Sequence, residues 1–313
     1  MAHDVAVVGL TILDILGRPI DRIPQGGNVE FIDEIRLTVA GTAGGPMVDC
    51  AKLGLKTLAV AAVGDDEKGD FVIDTLNRFG VDTRLIQRTS TAPTSATILN
   101  VRSNGDRPAC HVRGASDYLH VQLADYSTIF NGDFVHMGGT GLLKAMDGPR
   151  TTQFLRAAKM ADCTTTFDLI APSHETLSLL EPCLPYVDYF MPSMEEAAYI
   201  AGCDDENAIA DFFLSRGAGC CIFKWGPKGS FVANSNERWR IPAFRVPVSD
   251  TTGCGDAYCA GFIAGLSRGQ TVHDACRLAT AASGLVATGL GSDAGIVDFE
   301  HTMNFMQTAQ VLE

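Results

Sequence analysis

The stretch that most constrains this chain is Ser249-Asp250-Thr251-Thr252-Gly253-Cys254-Gly255-Asp256, which runs straight into the small apolar residues Ala257 to Leu266. Arg245-Val246-Pro247-Val248 before it alternates polar with apolar, so the pattern predicts a short strand, a glycine turn and a buried helix. Glycines on either side of one small residue let the backbone turn tightly with its N–H groups free, and the helix dipole points its positive end the same way. An anion fits there. Asp256 in the first helical turn would repel that anion, although an acid at this position favours the helix by about 0.3–1 kcal/mol. Both features are explained if Asp256 takes a proton from an attacking hydroxyl. The backbone from Gly253 through Cys254 and Gly255 to Asp256 would then stabilise charge on a phosphoryl group in transfer. The same residues also fit an ordinary N-capped helix after a glycine turn.

A chain of 313 residues with 46% hydrophobic and 19% charged residues has the balance of a soluble globular protein. Its formal charge of −13 argues against a general electrostatic surface for nucleic acid or anionic membranes, so an anionic ligand needs a local positive field. Met1-Ala2-His3-Asp4 leads directly into Val5-Ala6-Val7-Val8, which reads as a first strand and not a leader peptide. No stretch reaches the roughly 20 apolar residues of a membrane span. The ten cysteines never form Cys-x-x-Cys and mostly sit in apolar surroundings, which predicts free thiols and a cytoplasmic setting.

The string from Asp250 to Tyr258 resembles the C-terminal signature Asp-Thr-x-Gly-Ala-Gly-Asp-x-Phe of the ribokinase/PfkB family of carbohydrate and nucleoside kinases. Cys254 stands where the family usually has Ala, and Tyr258 where it usually has Phe. The resemblance implies a ribokinase-like α/β fold, with a mainly parallel sheet flanked by helices and a small β lid. It implies one kinase domain over 1–313, ATP with Mg²⁺, room for a monovalent cation such as K⁺, and a homodimer formed through the lid. It makes Asp256 the general base, and it sets Thr252, Gly253 and Gly255 beside the nucleotide.

The rest of the chain is consistent with that frame. Asp4 to Gly9 reads as a buried strand ending in Gly-Leu-Thr-Ile-Leu-Asp14, and ligands of open α/β sheets gather at strand carboxyl ends. Asp14 is a turn aspartate by its residues and a sugar-hydroxyl acceptor by resemblance. Ala40-Gly41-Thr42-Ala43-Gly44-Gly45-Pro46 opens a helix. In the family this segment reads Gly-Gly-x-x-x-Asn-x-Ala, so Gly41 and Thr42 fall at the acceptor and Gly45 replaces the asparagine. Alternating runs at Thr94–Val101 and Pro108–Val112, joined by Ser103-Asn104-Gly105-Asp106, predict a hairpin. With residues 10–16 and 29–39 it would build a small antiparallel sheet, the lid, spanning about 11–39 and 94–113. His111 and Arg113 leave this hairpin, and Arg113 is either an anchor for an anionic or polyhydroxy acceptor or a surface arginine.

From residue 133 onward strands and helices alternate in the rhythm of parallel βαβ units. Asp168 survives alone from the family's Asp-x-Asn-x-Arg. Ser193-Met194-Glu195-Glu196 resembles its Asn-x-x-Glu magnesium motif, with Glu196 placed to hold the metal's water shell. The Ser-x-x-Glu spacing is equally a capping box. Lys224-Trp225-Gly226-Pro227-Lys228-Gly229 resembles the turn beside the nucleotide, with Lys224 within reach of a phosphate or merely exposed. Thr280 and Ser283 flank the adenine by resemblance. The expected reaction is phosphoryl transfer to a primary hydroxyl of a sugar or sugar derivative. A nucleoside kinase of the same fold and a non-catalytic sugar or nucleotide sensor are the two rivals.

Overall fold

The computed structural model describes residues 2–312. Its strands are β1 (Val5–Gly9), β2 (Ile12–Arg18), β3 (Glu34–Ala40), β4 (Thr57–Gly64), β5 (Asp82–Thr89), β6 (Ala96–Asn100) and β7 (Ala109–Val112). They continue with β8 (Phe134–Thr140), β9 (Thr164–Leu169), β10 (Tyr189–Phe190), β11 (Cys220–Lys224), β12 (Ser230–Asn234) and β13 (Arg238–Ile241). Nine strands form the main sheet in the order β13-β12-β11-β10-β9-β8-β1-β4-β5, and four form a second sheet in the order β3-β2-β6-β7.

In the main sheet β5 through β11 run parallel, and only β12 and β13 are antiparallel. The buried strands explain themselves. β4 is Thr-Leu-Ala-Val-Ala-Ala-Val-Gly and every residue is buried, the continuous apolar run of a strand covered on both faces. Alternate side chains of β1 feed two cores. Ala6 and Val8 pack with Phe154, Phe167 and Phe213 on one face, while Val5 and Val7 pack with Met47, Ala61 and Ile263 on the other.

The helix Cys254–Leu266 is buried from Ala257 to Gly265 and packs between the helices Gly44–Lys52 and Val272–Val286. Its small residues permit that close approach on two sides, so its N-terminus is held at the carboxyl ends of the parallel strands. Arg245 to Val248 is not a strand, contrary to its alternating pattern. Pro247 has no N–H to pair, and in this segment only an isolated bridge from Phe244 to Val311 and a bond from Arg245 N to Gln310 O are formed.

The second sheet, the expected lid, is built from strands within 11–39 and 94–113, although β3 starts at Glu34 and not at Val29 and the sheet is mixed, with β6 parallel to β2. Register places Thr38, Asp14, Thr97 and His111 in one row across its four strands. Leu37, Ile15, Ile98 and Cys110 form the neighbouring row, and because side chains alternate along each strand this row points to the other face. The first row faces the main sheet: Thr38, Asp14 and Thr97 are buried. Arg36 pins the lid by donating to Leu290 O at 2.7 Å and pairing with Asp293 at 2.9 Å. Among the described residues no helix is long and apolar enough to cross a membrane, and the ten cysteines are free thiols.

Candidate active site

A cavity of about 670 Å³ opens at the carboxyl ends of the main-sheet strands, reached from the lid hairpin by Arg107, whereas Asp14, Gly41, Gly45 and His111 are not among its lining residues. Asp256, Gly253, Cys254 and Gly255 line it together with Thr42, Asp168, Ser193, Glu196, Lys224, Gly226, Gly229, Thr280 and Ser283. Most residues singled out from the sequence therefore converge on one space.

Gly253 is the N-cap of the helix with φ +79°, and a Cβ there would lie 2.3 Å from Ser292 Cα. Only glycine fits, because both the backbone conformation and the neighbour exclude a side chain. Behind the turn, buried Asp250 holds two loops together. One oxygen accepts from Thr252 N at 3.0 Å and Thr252 Oγ1 at 2.8 Å, and the other accepts from Gly291 N at 2.9 Å. This corrects the expectation for Thr252: its hydroxyl serves Asp250, and Thr251 is the threonine that lines the cavity.

Burial pushes Asp256 up to about 8, with the charge of Asp168 adding to the effect and Lys224 opposing it. A Cβ on Gly45 would lie 2.7 Å from Asp256 Cβ, so the glycine that replaces the family's asparagine is where Asp256 packs. Asp14 is also buried, and its Oδ1 has no hydrogen-bond partner. Burial raises it to about 7 against the pull of Thr97 and Arg107. An unsatisfied buried carboxylate oxygen is costly unless a ligand hydroxyl meets it.

Gly41 and Thr42 are fixed from below. His136 is fully buried, its Nε2 is 2.9 Å from Thr42 O and its Nδ1 is 2.9 Å from Thr166 Oγ1. A carbonyl only accepts, so the ring proton is on Nε2 and the Thr166 hydroxyl donates to Nδ1. Burial lowers this histidine further and keeps it neutral.

Asp168 and Lys224 form a buried ion pair at 2.5 Å. Burial would lower the Lys224 ammonium, but Asp168, with Cys259 and Glu196, more than reverses this. Lys224 Nζ lies 3.3 Å from where a Gly255 Cβ would be, so its charge sits beneath the anion loop rather than in open solvent. Asp168 is thus the lysine's counter-ion, and its other oxygen accepts from Leu169 N at 2.9 Å, while the residue also lines the cavity. Ser193 and Glu196 do form the capping box, with bonds of 2.9 and 3.1 Å. Glu196 also lines the cavity, and burial followed by the Asp168 charge raises it.

Two lid residues fall elsewhere than expected. Arg113 is held by Asp117, four positions on, in a two-pronged pair at 2.7–3.2 Å and does not line the cavity; the ion pair takes up the guanidinium. His111 is exposed, and its Nδ1 lies 3.0 Å from Thr97 Oγ1, one strand away from Asp14. The arginine that does reach the cavity is Arg107. It follows the Asn-Gly turn directly, and its position on the inner side depends on hairpin register that single-sequence patterning does not fix.

A glycine turn at a helix N-terminus, a half-buried aspartate in the first helical turn and a second sheet beside the strand ends are the arrangement a small-molecule kinase requires. The comparisons agree. Residues 2–298 match the model of the pfkB family carbohydrate kinases, and the chain belongs to that family. It is 24% identical over 297 residues to the 2-dehydro-3-deoxygluconokinase of Bacillus subtilis, covering 91% of this chain and 92% of that protein. The ribokinase structure from Thermotoga maritima superposes with a TM-score of 0.81 at 26% identity, over 98% of this chain and 100% of that one. An E. coli chain of the same fold, solved with ATP and Mg²⁺, gives a TM-score of 0.84 at 22% identity over 97% and 99%. The fold is ribokinase-like, and the enzyme is an ATP-using kinase of the sugar and nucleoside type.

Proposed function

We propose that the enzyme transfers the γ-phosphoryl group of ATP to a primary hydroxyl of a small sugar or sugar derivative. The observation that carries this reading is Asp256, half-buried between Gly45 and the Gly253–Gly255 turn with its carboxyl pushed up to about 8. A base poised near neutrality, beside N–H groups aimed at a developing negative charge, suits proton removal from a hydroxyl during phosphoryl transfer.

In this reading Asp14, Gly41 and Thr42 hold the acceptor, and the free Oδ1 of Asp14 meets one of its hydroxyls. Asp256 accepts the proton of the attacking hydroxyl. The new bond forms between that oxygen and the γ-phosphorus, and the bond to the β–γ bridging oxygen breaks with ADP as leaving group. The N–H groups at Gly253 to Asp256 face the charge that builds up. Gly226, Gly229, Thr280 and Ser283 wall the far end of the cavity, where the adenosine of ATP fits. Glu196 is the hard oxygen donor suited to Mg²⁺ and its water shell, and bound Mg²⁺ would neutralise charge on the phosphates.

Three features support one domain over 1–313 acting as a dimer through the lid. The lid hairpin sends Arg107 into the cavity wall, Thr38, Asp14 and Thr97 of its inner row are buried, and its outer face exposes Ile35, Leu37, Ile98 and Val112. The deciding experiment is an ATP-consumption screen over sugars, sugar acids and nucleosides, run with Asp256→Asn alongside. Asparagine keeps the shape and removes the base, so turnover should fall by roughly 10²–10⁴ with ATP affinity nearly unchanged. Near-normal turnover of Asp256→Asn would refute the assignment of the base. A nucleoside outperforming every sugar in kcat/KM would move the acceptor to that class.

A further inference from the structure

After the helix Phe299–Thr308 the backbone turns back along the segment that leads to the glycine turn. Leu312 N donates to Ala243 O at 2.7 Å, Arg245 N donates to Gln310 O at 2.7 Å, and Phe244 and Val311 form an antiparallel bridge. Residues 309–312 thus satisfy ladder groups that Ala243 and Arg245 would otherwise leave unpaired beside the cavity. The preceding helix is seated on the same segment. Phe305 meets Phe244 edge-on at 5.5 Å between ring centroids, and Met306 is buried with Phe244, Leu278 and Ala281.

Side chains alternate along an extended backbone. Val311 is 45% exposed, whereas Leu312 turns the other way and lines the cavity with Ala243, Phe244, Val246 and Ala287. This apolar wall runs between the two elements assigned above to the nucleotide. A Cβ on Gly229 would lie 2.8 Å from Ala243 N, and one on Gly284, next to Ser283, would lie 3.7 Å from a Val246 methyl. Asp168, Glu196, Lys224 and Asp256 line the same cavity and give it a charged part as well. A ligand that fills both parts is apolar and flat at one end and charged at the other, as a nucleotide is.

We propose that residues 309–312 form a strap that completes the nucleotide end of the cavity, with the Leu312 side chain packed on the adenine of ATP and setting nucleotide affinity. This rests on the placement of the adenosine under the proposed function. It adds a wall from beyond residue 298, where the match to the pfkB model stops. A branched apolar side chain laid on a base removes apolar surface from water on both, an attraction indifferent to the number of phosphates. Because the strap braces Ala243 to Arg245, and that segment continues into Asp250 to Gly253, the base and the phosphates are held from one continuous stretch of chain.

The test measures calorimetric affinity for ADP and for a non-hydrolysable ATP analogue in wild type, Leu312→Ala, Leu312→Met and Val311→Ala. Steady-state kinetics with the acceptor found in the screen run alongside. Leu312→Ala keeps the backbone bonds of the strap and removes the side chain. Its affinity for both nucleotides should fall about four- to tenfold, the range for contact with one or two methyl groups. ATP KM should rise by the same factor, with kcat and acceptor KM unchanged. Methionine has a similar volume and should keep most of the wild-type affinity, and Val311→Ala, altered on the solvent side, should match the wild type throughout. Unchanged nucleotide affinity in Leu312→Ala overturns the proposal. An equal loss in Val311→Ala overturns it too, because the strap would then act only as a brace. A wild type that binds neither nucleotide ends the kinase reading and this inference together; a wild type that binds both, with Leu312→Ala binding them equally well, sinks this inference alone.

Discussion

The floor of the cavity and its lid solve opposite problems. On the floor the polar groups are satisfied within the protein: Asp168 by Lys224, Asp250 by Thr252 and Gly291, His136 by Thr42 and Thr166. On the lid the decisive groups are left open. Asp14 keeps an oxygen without a partner, Arg107 spends one donor on Thr251, and the outer face shows Ile98 at 53% and Ile35 at 71% exposure. The floor is pre-organised and the lid is completed by what it meets. That division suits an enzyme whose chemistry is fixed and whose acceptor contacts vary.

The largest break in this comparison is to strip the floor of its internal counter-ion. Lys224→Met leaves Asp168, whose side chain is 2% exposed, as a buried unpaired charge. Removing one partner of such a pair costs about 3–5 kcal/mol, so urea unfolding should shift well below wild type. Wild-type stability in this variant would mean that the pair is not essential to the floor.

A smaller effect sharpens the comparison through pH. Asp256 and Asp14 are raised from an ordinary 3.8 to about 8 and about 7. A base with a raised pKa works only when deprotonated, so kcat/KM should climb about tenfold per unit below pH 8 and level off above it. Stability runs the other way. The folded protein keeps protons that the unfolded chain releases near 3.8, so their contribution is complete below about pH 4 and is lost as pH rises through 7 to 8. Asp256→Asn should remove its share of that slope, and an identical stability profile in the variant would place the titration elsewhere.

The smallest effect belongs to the outer lid. Ile98→Glu puts a charge in the Leu37-Ile15-Ile98-Cys110 row, and sedimentation should show a dimer splitting into folded monomers. The monomer itself should change by no more than about 0.5 kcal/mol, as surface substitutions usually do. A wild type that sediments as a monomer would end the dimer proposal.

Much of the floor was legible in the sequence because it is made of local patterns. A glycine turn before a run of small apolar residues marks Gly253 to Leu266, and Ser193 to Glu196 announces both a cap and a cavity carboxylate. The lid was legible as strands but not as a surface. Arg113 was the natural candidate because it leaves the hairpin, yet Asp117, four residues on, captures it. Arg107 was hidden because only the register of β6 on β2 decides which side of the hairpin it serves. The Asp168 pairing with Lys224 was equally invisible, since they are 56 positions apart and strand β10 lies between them. Long-range pairing decided these roles, and periodicity carries no information about it.

The antiparallel pair β12 and β13 has a consequence for how the molecule keeps to itself. A nine-stranded sheet exposes ladder groups at its margins, and an unprotected margin invites strands from other chains. At the β13 margin Arg238 and Arg240 point outward and are tied to Asp211 and Glu206 on the neighbouring helix, which crowds the edge with solvated charge. The margin of the lid sheet at β7 is exposed throughout its four residues and carries Cys110 and Val112. Growth by strand addition is therefore discouraged at one end of the molecule and open at the other, so a fusion partner attached beside β13 should leave self-association unaltered, whereas one beside β7 should interfere with it.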